Sequence, residues 1–249
     1  MSFSALVLAG TRPGGDPLAQ QIGVAHKALI EIAGEPMLTR VVAALRGGGA
    51  AQVAVSCDEG PVAELARKLG CIVTPPAAGP SGSVAAAFET LGAPLLVTTA
   101  DHALLKAAWV TELIGGTPAD SDFSLMLARR ETIEAAVPGS QRTYLRFADG
   151  HWSGCNLFFL QTPAAARALA LWRQVEADRK RPWRIVARLG PGMLFAYLGG
   201  RLTLAAGIGR LAGRLGLRAT LVPASDGLAA VDVDKPSDLE QVRVLLERD

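Results

Sequence analysis

A chain of 249 residues is long enough to bury one sizeable core and lies near the upper limit for a single one. Half of its residues are hydrophobic, 19% are charged and 5% are aromatic, which excludes a disordered or fibrous chain and suits an aliphatic α/β interior. The formal net charge of +2 is too near neutral to argue for nucleic acid as a partner.

Short β-type runs alternate with helical patterns from the start. Ala5–Leu8 reads as a buried strand followed by a Gly/Pro loop. Pro36–Leu45 predicts a helix, with Met37, Val41, Val42 and Leu45 on one face and Gly47-Gly48-Gly49 as its stop. Then come a strand at Gln52–Ser56, a helix at Pro61–Leu69, a short strand at Ile72–Thr74 and a helix at Val84–Leu91. A buried strand at Pro94–Thr98, a helix at Trp109–Ile114 and a strand at Phe123–Ala128 follow. This alternation predicts parallel βαβ units and a sheet covered on both faces.

After residue 130 the pattern changes. Thr143–Phe147 and Trp152–Leu160 predict a hairpin around Asp149-Gly150. Helices are expected at Pro163–Asp178 and Leu202–Leu215, a last strand at Val231–Val233, and a closing helix at Ser237–Leu246 with Ser237 as N-cap and Glu240 three residues on. No linker-like composition separates domains, so 1–249 is read as one domain with 130–220 forming an acceptor-side lobe.

Cys57, Cys71 and Cys155 are an odd count without CxxC or His-paired spacing, so neither a disulfide framework nor a zinc site is expected and a reducing, cytoplasmic compartment fits. The opening MSFSALVLAG has no basic flank, and its apolar run is too short for a signal peptide. No stretch of ~18 apolar residues predicts a membrane span. Met193–Leu217 is apolar, free of acids and punctuated by Arg201, Arg210 and Arg214, with Arg218 next. The segment reads as a pair of helices packed on the domain, with peripheral contact to an anionic membrane surface as the alternative.

Four places carry chemistry. Gly10, in the loop after the first strand, lets backbone N–H groups approach phosphate oxygens, and Arg12 and Lys27 would add cationic contacts to a triphosphate. The loop Gly79-Pro80-Ser81-Gly82-Ser83 runs into a helix that Ser81 or Ser83 would cap, or whose hydroxyls would read a base edge. Asp101 follows the apolar strand Leu95–Thr99, where a carboxylate either holds Mg²⁺ at the ligand edge of the sheet or caps a helix. Asp232 and Asp234, two residues apart on an expected strand, share a face. The histidines His26, His102 and His151 are not spaced as a metal triad, and a surface role is expected of His102, with a phosphate contact beside Asp101 as the alternative. Arg179-Lys180-Arg181 with Arg184 reads as a solvated charge run or an anion grip.

Taken in order, LVLAG with Arg12, HKALIEIAGEPML, GPSGSVAAAF, TTADHALL, SGCNLFFL and VDVDKPSDLE resemble the motifs of the nucleotidyltransferases of sugar-phosphate and molybdenum-cofactor type. The resemblance covers most of the chain and implies a Rossmann-like α/β sandwich with a mostly parallel central sheet. It further implies that Leu8, Ala9, Gly10, Thr11 and Arg12 wrap the triphosphate, with Gly79 and Ala100 also at the nucleotide. Lys27 would stabilise the α-phosphate, Ser83 contact base or ribose, Asp101 and Asp232 hold Mg²⁺ with Asp234 as a third, and Asn156 orient the acceptor. The implied reaction transfers an NMP group from an NTP, CTP or GTP favoured, to a small phosphorylated acceptor, releasing pyrophosphate. Here Gly10 stands alone before Arg12, where the family has two or three glycines, and Ala103 replaces a common proline. Two rivals share the architecture: a glycosyltransferase using a nucleotide sugar, and a non-catalytic nucleotide-binding relative.

Overall fold

The first apolar run forms β1 (Phe3–Leu8), buried along its first five residues, as expected of a strand covered on both faces. It pairs in parallel with β4 (Ala50–Ser56) on one side and β6 (Leu95–Thr99) on the other, and β5 (Ile72–Thr74) extends the sheet beyond β4. The computed structural model describes residues 2–11, 14–140, 142–178 and 190–247. It divides the chain into two compact units, Met1–Thr111 with Val231–Asp249, and Glu112–Ala230.

In the first unit the parallel strands are ordered β6-β1-β4-β5. Between β1 and β4 run α1 (Pro17–Ile22), a 3₁₀ turn at Lys27–Leu29, a minimal hairpin of β2 (Glu31–Ile32) and β3 (Glu35–Pro36), and α2 (Met37–Gly47). The apolar face read for α2 is real: Met37, Leu38, Val41, Val42 and Leu45 are all buried, each worth about 1.5–3 kcal/mol of transfer free energy. Next come α3 (Pro61–Lys68), α4 (Gly79–Leu91) and the first residues of α5 (Ala107–Gly115), which the division after Thr111 splits, and the unit closes with α10 (Pro236–Leu246). α4 starts five residues before the expected Val84, with Pro80 in its first turn.

The second unit is built on β10 (Ala219–Pro223), β7 (Phe123–Arg129) and β9 (Gly150–Leu160), in that order, with β8 (Leu145–Phe147) on β9. β10 runs parallel to β7, whereas β9 is antiparallel to both β7 and β8. The hairpin appears where Asp149-Gly150 predicted it, Phe147 pairing with Gly150, whose φ of +125° suits glycine. Its helices are α6 (Arg130–Ala136), α7 (Ala166–Asp178), α8 (Pro191–Leu198) and α9 (Leu204–Gly213). Thr203 caps α9 by accepting from the Ala206 N–H at 3.2 Å. The Met193–Leu217 segment is therefore a pair of helices. None of the described helices is long and apolar enough to cross a membrane.

Two expectations are corrected. Val231–Val233 forms no strand; instead the Val233 N–H donates to the Asp101 carbonyl at 3.0 Å. The closing helix starts at Pro236 with Lys235 as N-cap, not Ser237. The Asp238 carboxylate reaches back to the Asp234 and Lys235 N–H groups at 3.2 Å each, so the acid at N3 ties the N-cap backbone to the first turn.

Candidate active site

All the strand ends that matter lie in the first unit. β1 stops at Leu8, whose carbonyl accepts the Ala100 N–H at 3.0 Å, and the Ala9 N–H donates to Ser56 O at 2.9 Å. These bonds lace the ends of β1, β4 and β6 together and leave Gly10 and Thr11 exposed just beyond, at the carboxyl edge where open α/β sheets take ligands. Arg12 lies outside the described residues, as do Arg179, Lys180, Arg181 and Arg184.

The chain then returns to this edge through two caps. Asp16 accepts from the Leu18 and Ala19 N–H groups at 3.0 and 3.1 Å and starts α1 with Pro17 at its first position. His26, buried, accepts the Ala28 N–H on Nδ1 at 3.0 Å, and its ring also hydrogen-bonds the Gly10 backbone. An accepting Nδ1 requires the neutral imidazole. Burial is the main cause that holds the His26 pKa below its ordinary value. His26 thus pins the glycine loop to the turn that carries Lys27.

From that turn the Lys27 ammonium reaches Asp101 Oδ2 at 2.5 Å and Asp234 Oδ1 at 2.9 Å, with Asp16 Oδ2 at 3.9 Å. The side chains of Lys27 and Asp101 are 14% and 11% exposed, that of Asp234 53%. Burial opposes the charge on Lys27, but Asp101 and then Asp234 outweigh it and push its pKa up to about 12. One fixed cation therefore joins carboxylates 133 residues apart in sequence. The Val233–Asp101 backbone bond and the Asp238 bond to the Asp234 N–H hold the two acids in place.

For a hard cation the decisive observation is Asp101 Oδ1, which is buried without a hydrogen-bond partner among the described residues. A buried acceptor of this kind is costly unless something fills it. Mg²⁺ characteristically takes one or two protein carboxylates, with phosphate and water completing its shell. Asp101 and Asp234 fit that demand. No group of three or more His, Cys, Asp or Glu side chains among the described residues is arranged as a full metal cage. Asp232 is half-buried beside Val233.

The other expected residues are placed as follows. Gly79 opens α4, and the buried Ser83 hydroxyl accepts the Ala77 N–H at 3.0 Å and donates to Gly79 O at 3.2 Å. Ser83 therefore shapes the loop, while the exposed Gly79 and Pro80 leave backbone for a ligand. Asn156 belongs to the second unit and has φ +51°. It sits where the β7–β9 register jumps from Met126↔Leu157 to Leu127↔Gly154, so Cys155 and Asn156 form a bulge. Bulges cluster beside functional sites, and asparagine tolerates this left-handed conformation better than most residues. His102 is not at the surface. It is 1% exposed and stacked on Trp109, with ring centroids 5.8 Å apart.

Sequence reasoning singled out neither His26 nor Asp16. The Asp16-Pro17 pair is a recognisable N-cap signal. No periodicity marks His26.

A parallel sheet whose carboxyl edge gathers a glycine loop, a lysine and two aspartates defines the nucleotide-handling class of α/β transferases. The model of the MobA-like NTP transferase domain matches residues 5–192, and the chain belongs to that family of nucleotidyltransferases. A hypothetical transferase of Thermus thermophilus is 31% identical, with a TM-score of 0.80 over 96% of this chain and 100% of that one. CMP:2-keto-3-deoxy-manno-octonic acid synthetase complexed with CTP is 18% identical, with a TM-score of 0.60 over 100% and 99%. For 2-C-methyl-D-erythritol 4-phosphate cytidylyltransferase of Thermus thermophilus the values are 18% and 0.53, over 99% and 100%. The latter two share the fold. A search of curated proteins returned no match.

Proposed function

We propose that this nucleotidyltransferase moves an NMP group from CTP or GTP to a small phosphorylated acceptor, releasing pyrophosphate, with Mg²⁺ as cofactor. The observation that carries the reading is the Lys27 ammonium shared by Asp101 and Asp234 beside the exposed Gly10-Thr11 turn. The two solved structures that bear on the nucleotide are a CTP complex and a cytidylyltransferase by name, which supports CTP first.

In this reading the backbone from Leu8 to Thr11, with Arg12, receives the triphosphate, and Ala100 and Gly79 approach the nucleotide with main chain rather than side chain. Lys27 stays protonated at every physiological pH, since its pKa of about 12 leaves it no role as a base. It neutralises charge building on the α-phosphate and moves no proton. Asp101 and Asp234 would hold Mg²⁺, with Asp232 as a further candidate from the family resemblance, and the ion when bound would neutralise triphosphate charge. Asn156 would orient the acceptor. An acceptor phosphate oxygen attacks the α-phosphorus in line, and its bond forms as the bond to pyrophosphate breaks, so positioning and fixed charge suffice without a covalent enzyme intermediate. The three buried cysteines, an odd count without disulfide spacing, support a cytoplasmic setting.

The test is pyrophosphate release from each of the four NTPs against phosphorylated sugars, polyols and pterins, repeated with Asp101→Ala. One pair should give Mg²⁺-dependent release that the variant loses. Release of a nucleoside diphosphate from a nucleotide sugar would establish the glycosyltransferase instead. Tight NTP binding with no turnover on any acceptor would establish the non-catalytic relative.

A further inference from the structure

In the second unit, alternate residues of β7 face opposite ways, and the two faces are filled differently. Ser124, Met126 and Ala128 are all buried, whereas Phe123 and Leu125 on the other face are only half-buried although wholly apolar. α7 and α9 lie over that second face, yet a cavity of about 360 Å³ remains. Phe158, Trp172, Ile208 and Leu211 are among the residues that line it, and every lining residue is aliphatic, aromatic or glycine. A void of ~150 Å³ with such a lining stays dry and takes up benzene. This one is more than twice that size. Among its lining side chains only the Trp172 indole carries a polar group, so the cavity suits hydrocarbon far better than a polar ligand.

The elements around the cavity carry the complementary charge. From Met193 to Leu217 there is no acid, and Arg167, Arg201, Arg210 and Arg214 are all exposed, whereas Arg218 is already paired with Asp120 at 3.2 Å. On α8, which carries no charged residue, Phe195 and Leu198 are 72% and 67% exposed, two large apolar side chains projecting into solvent just before Arg201. Hydrocarbon inside, cations around it and apolar side chains projecting beside them describe a site for an anionic amphiphile.

We propose that this cavity binds one acyl chain of an anionic phospholipid while the surrounding arginines hold its phosphate and Phe195 and Leu198 enter the bilayer interface. The proposal stands apart from nucleotidyl transfer and does not depend on it.

Vesicles of phosphatidylcholine alone and of phosphatidylcholine with phosphatidylglycerol separate charge from hydrophobicity. The wild-type chain should bind the anionic vesicles tighter by at least about tenfold, and Phe195→Ser with Leu198→Ser should weaken that binding. Phosphatidylglycerol brominated on its acyl chains should quench tryptophan fluorescence in the wild type. Most of that quenching should vanish in Trp172→Phe, and in Gly207→Leu, which fills the cavity from its α9 wall. Should Gly207→Leu fail to fold, Trp172→Phe carries the comparison. Three results would overturn the proposal. One is absence of binding to anionic vesicles. Another is binding with quenching unchanged by Trp172→Phe, which means surface adsorption only. The last is quenching by a brominated free fatty acid, or protection of Trp172 by self-association in lipid-free buffer, without vesicle binding.

Discussion

Replacing Lys27 with methionine keeps the stem of the side chain and removes the ammonium that joins Asp101 to Asp234. The rise of the Lys27 pKa from 10.5 to about 12 measures how much the folded environment prefers the charged form, and it is worth about 2 kcal/mol. The lysine is 14% exposed, so solvent screening takes little of this. In a chain of this length a loss of that size lowers Tm by about 4–8 °C. The sign follows from linkage: a folded pKa raised above the unfolded one gives stability that is complete below about 10.5 and disappears as pH climbs through about 12. The Tm deficit of Lys27→Met by scanning calorimetry should therefore be constant from neutral pH to about 9. Millimolar Mg²⁺ should restore part of it, because a second cation then relieves the two carboxylates. A variant as stable as the parent at pH 8, or a deficit that fades well below pH 10, would refute the assigned pairing.

Four further outcomes follow from the same geometry. Asp101→Asn keeps the shape of the side chain and removes its charge; pyrophosphate release should fall by at least about 10²-fold, and any Mg²⁺-induced rise in Tm should vanish with it. At Asn156, alanine must adopt φ +51° and should cost about 1–2 kcal/mol in urea unfolding. Glycine there should be neutral in stability, while both variants raise KM for the acceptor. Gly227→Ala would drive a Cβ into the Thr132 carbonyl and the Ile133 backbone, costing about 3 kcal/mol or more, so Tm should fall by about 6 °C or more. His26, held neutral mainly by burial, gives stability that is complete above its unfolded pKa of 6.5 and lost as pH falls below it. Acid stability curves of His26→Asn should be flatter than those of the parent as pH falls below 6.5, because the amide oxygen replaces the Nδ1 acceptor without titrating.

The sheet of the first unit was legible because its strands are buried on both faces and read as unbroken apolar runs bounded by glycine and proline; β5 falls at the expected residues, and β1 and β6 within two. Two elements were not: α1, with six residues, is too short for a helical period to stand out, and β10 (Ala219–Pro223) is only partly buried and lacks an unbroken apolar run. Val231–Val233 has the composition of a strand, but its hydrogen bond goes to the Asp101 carbonyl, and partner choice is a tertiary fact that composition does not encode. In the site, Asp101 and Lys27 were identifiable from their positions after a strand and before an apolar pair. The finding that Lys27 itself links Asp101 to Asp234 was not, because it depends on the chain folding back over a sequence separation of 207. His102 read as a surface residue and His26 as unremarkable because nothing local marks a buried imidazole; what surrounds them is Trp109 for the one and the glycine loop for the other.

The central claim is that the carboxyl edge of β1 and β6 binds a nucleoside triphosphate with its metal. Crystals grown with Mn²⁺ and a non-hydrolysable CTP or GTP analogue test it directly. Anomalous scattering should place the ion on the Asp101 carboxylate, with the triphosphate against Gly10-Thr11 and the Lys27 ammonium drawn from Asp234 to a phosphate oxygen. An ion and nucleotide bound elsewhere, with Lys27 still bridging Asp101 and Asp234, would contradict it.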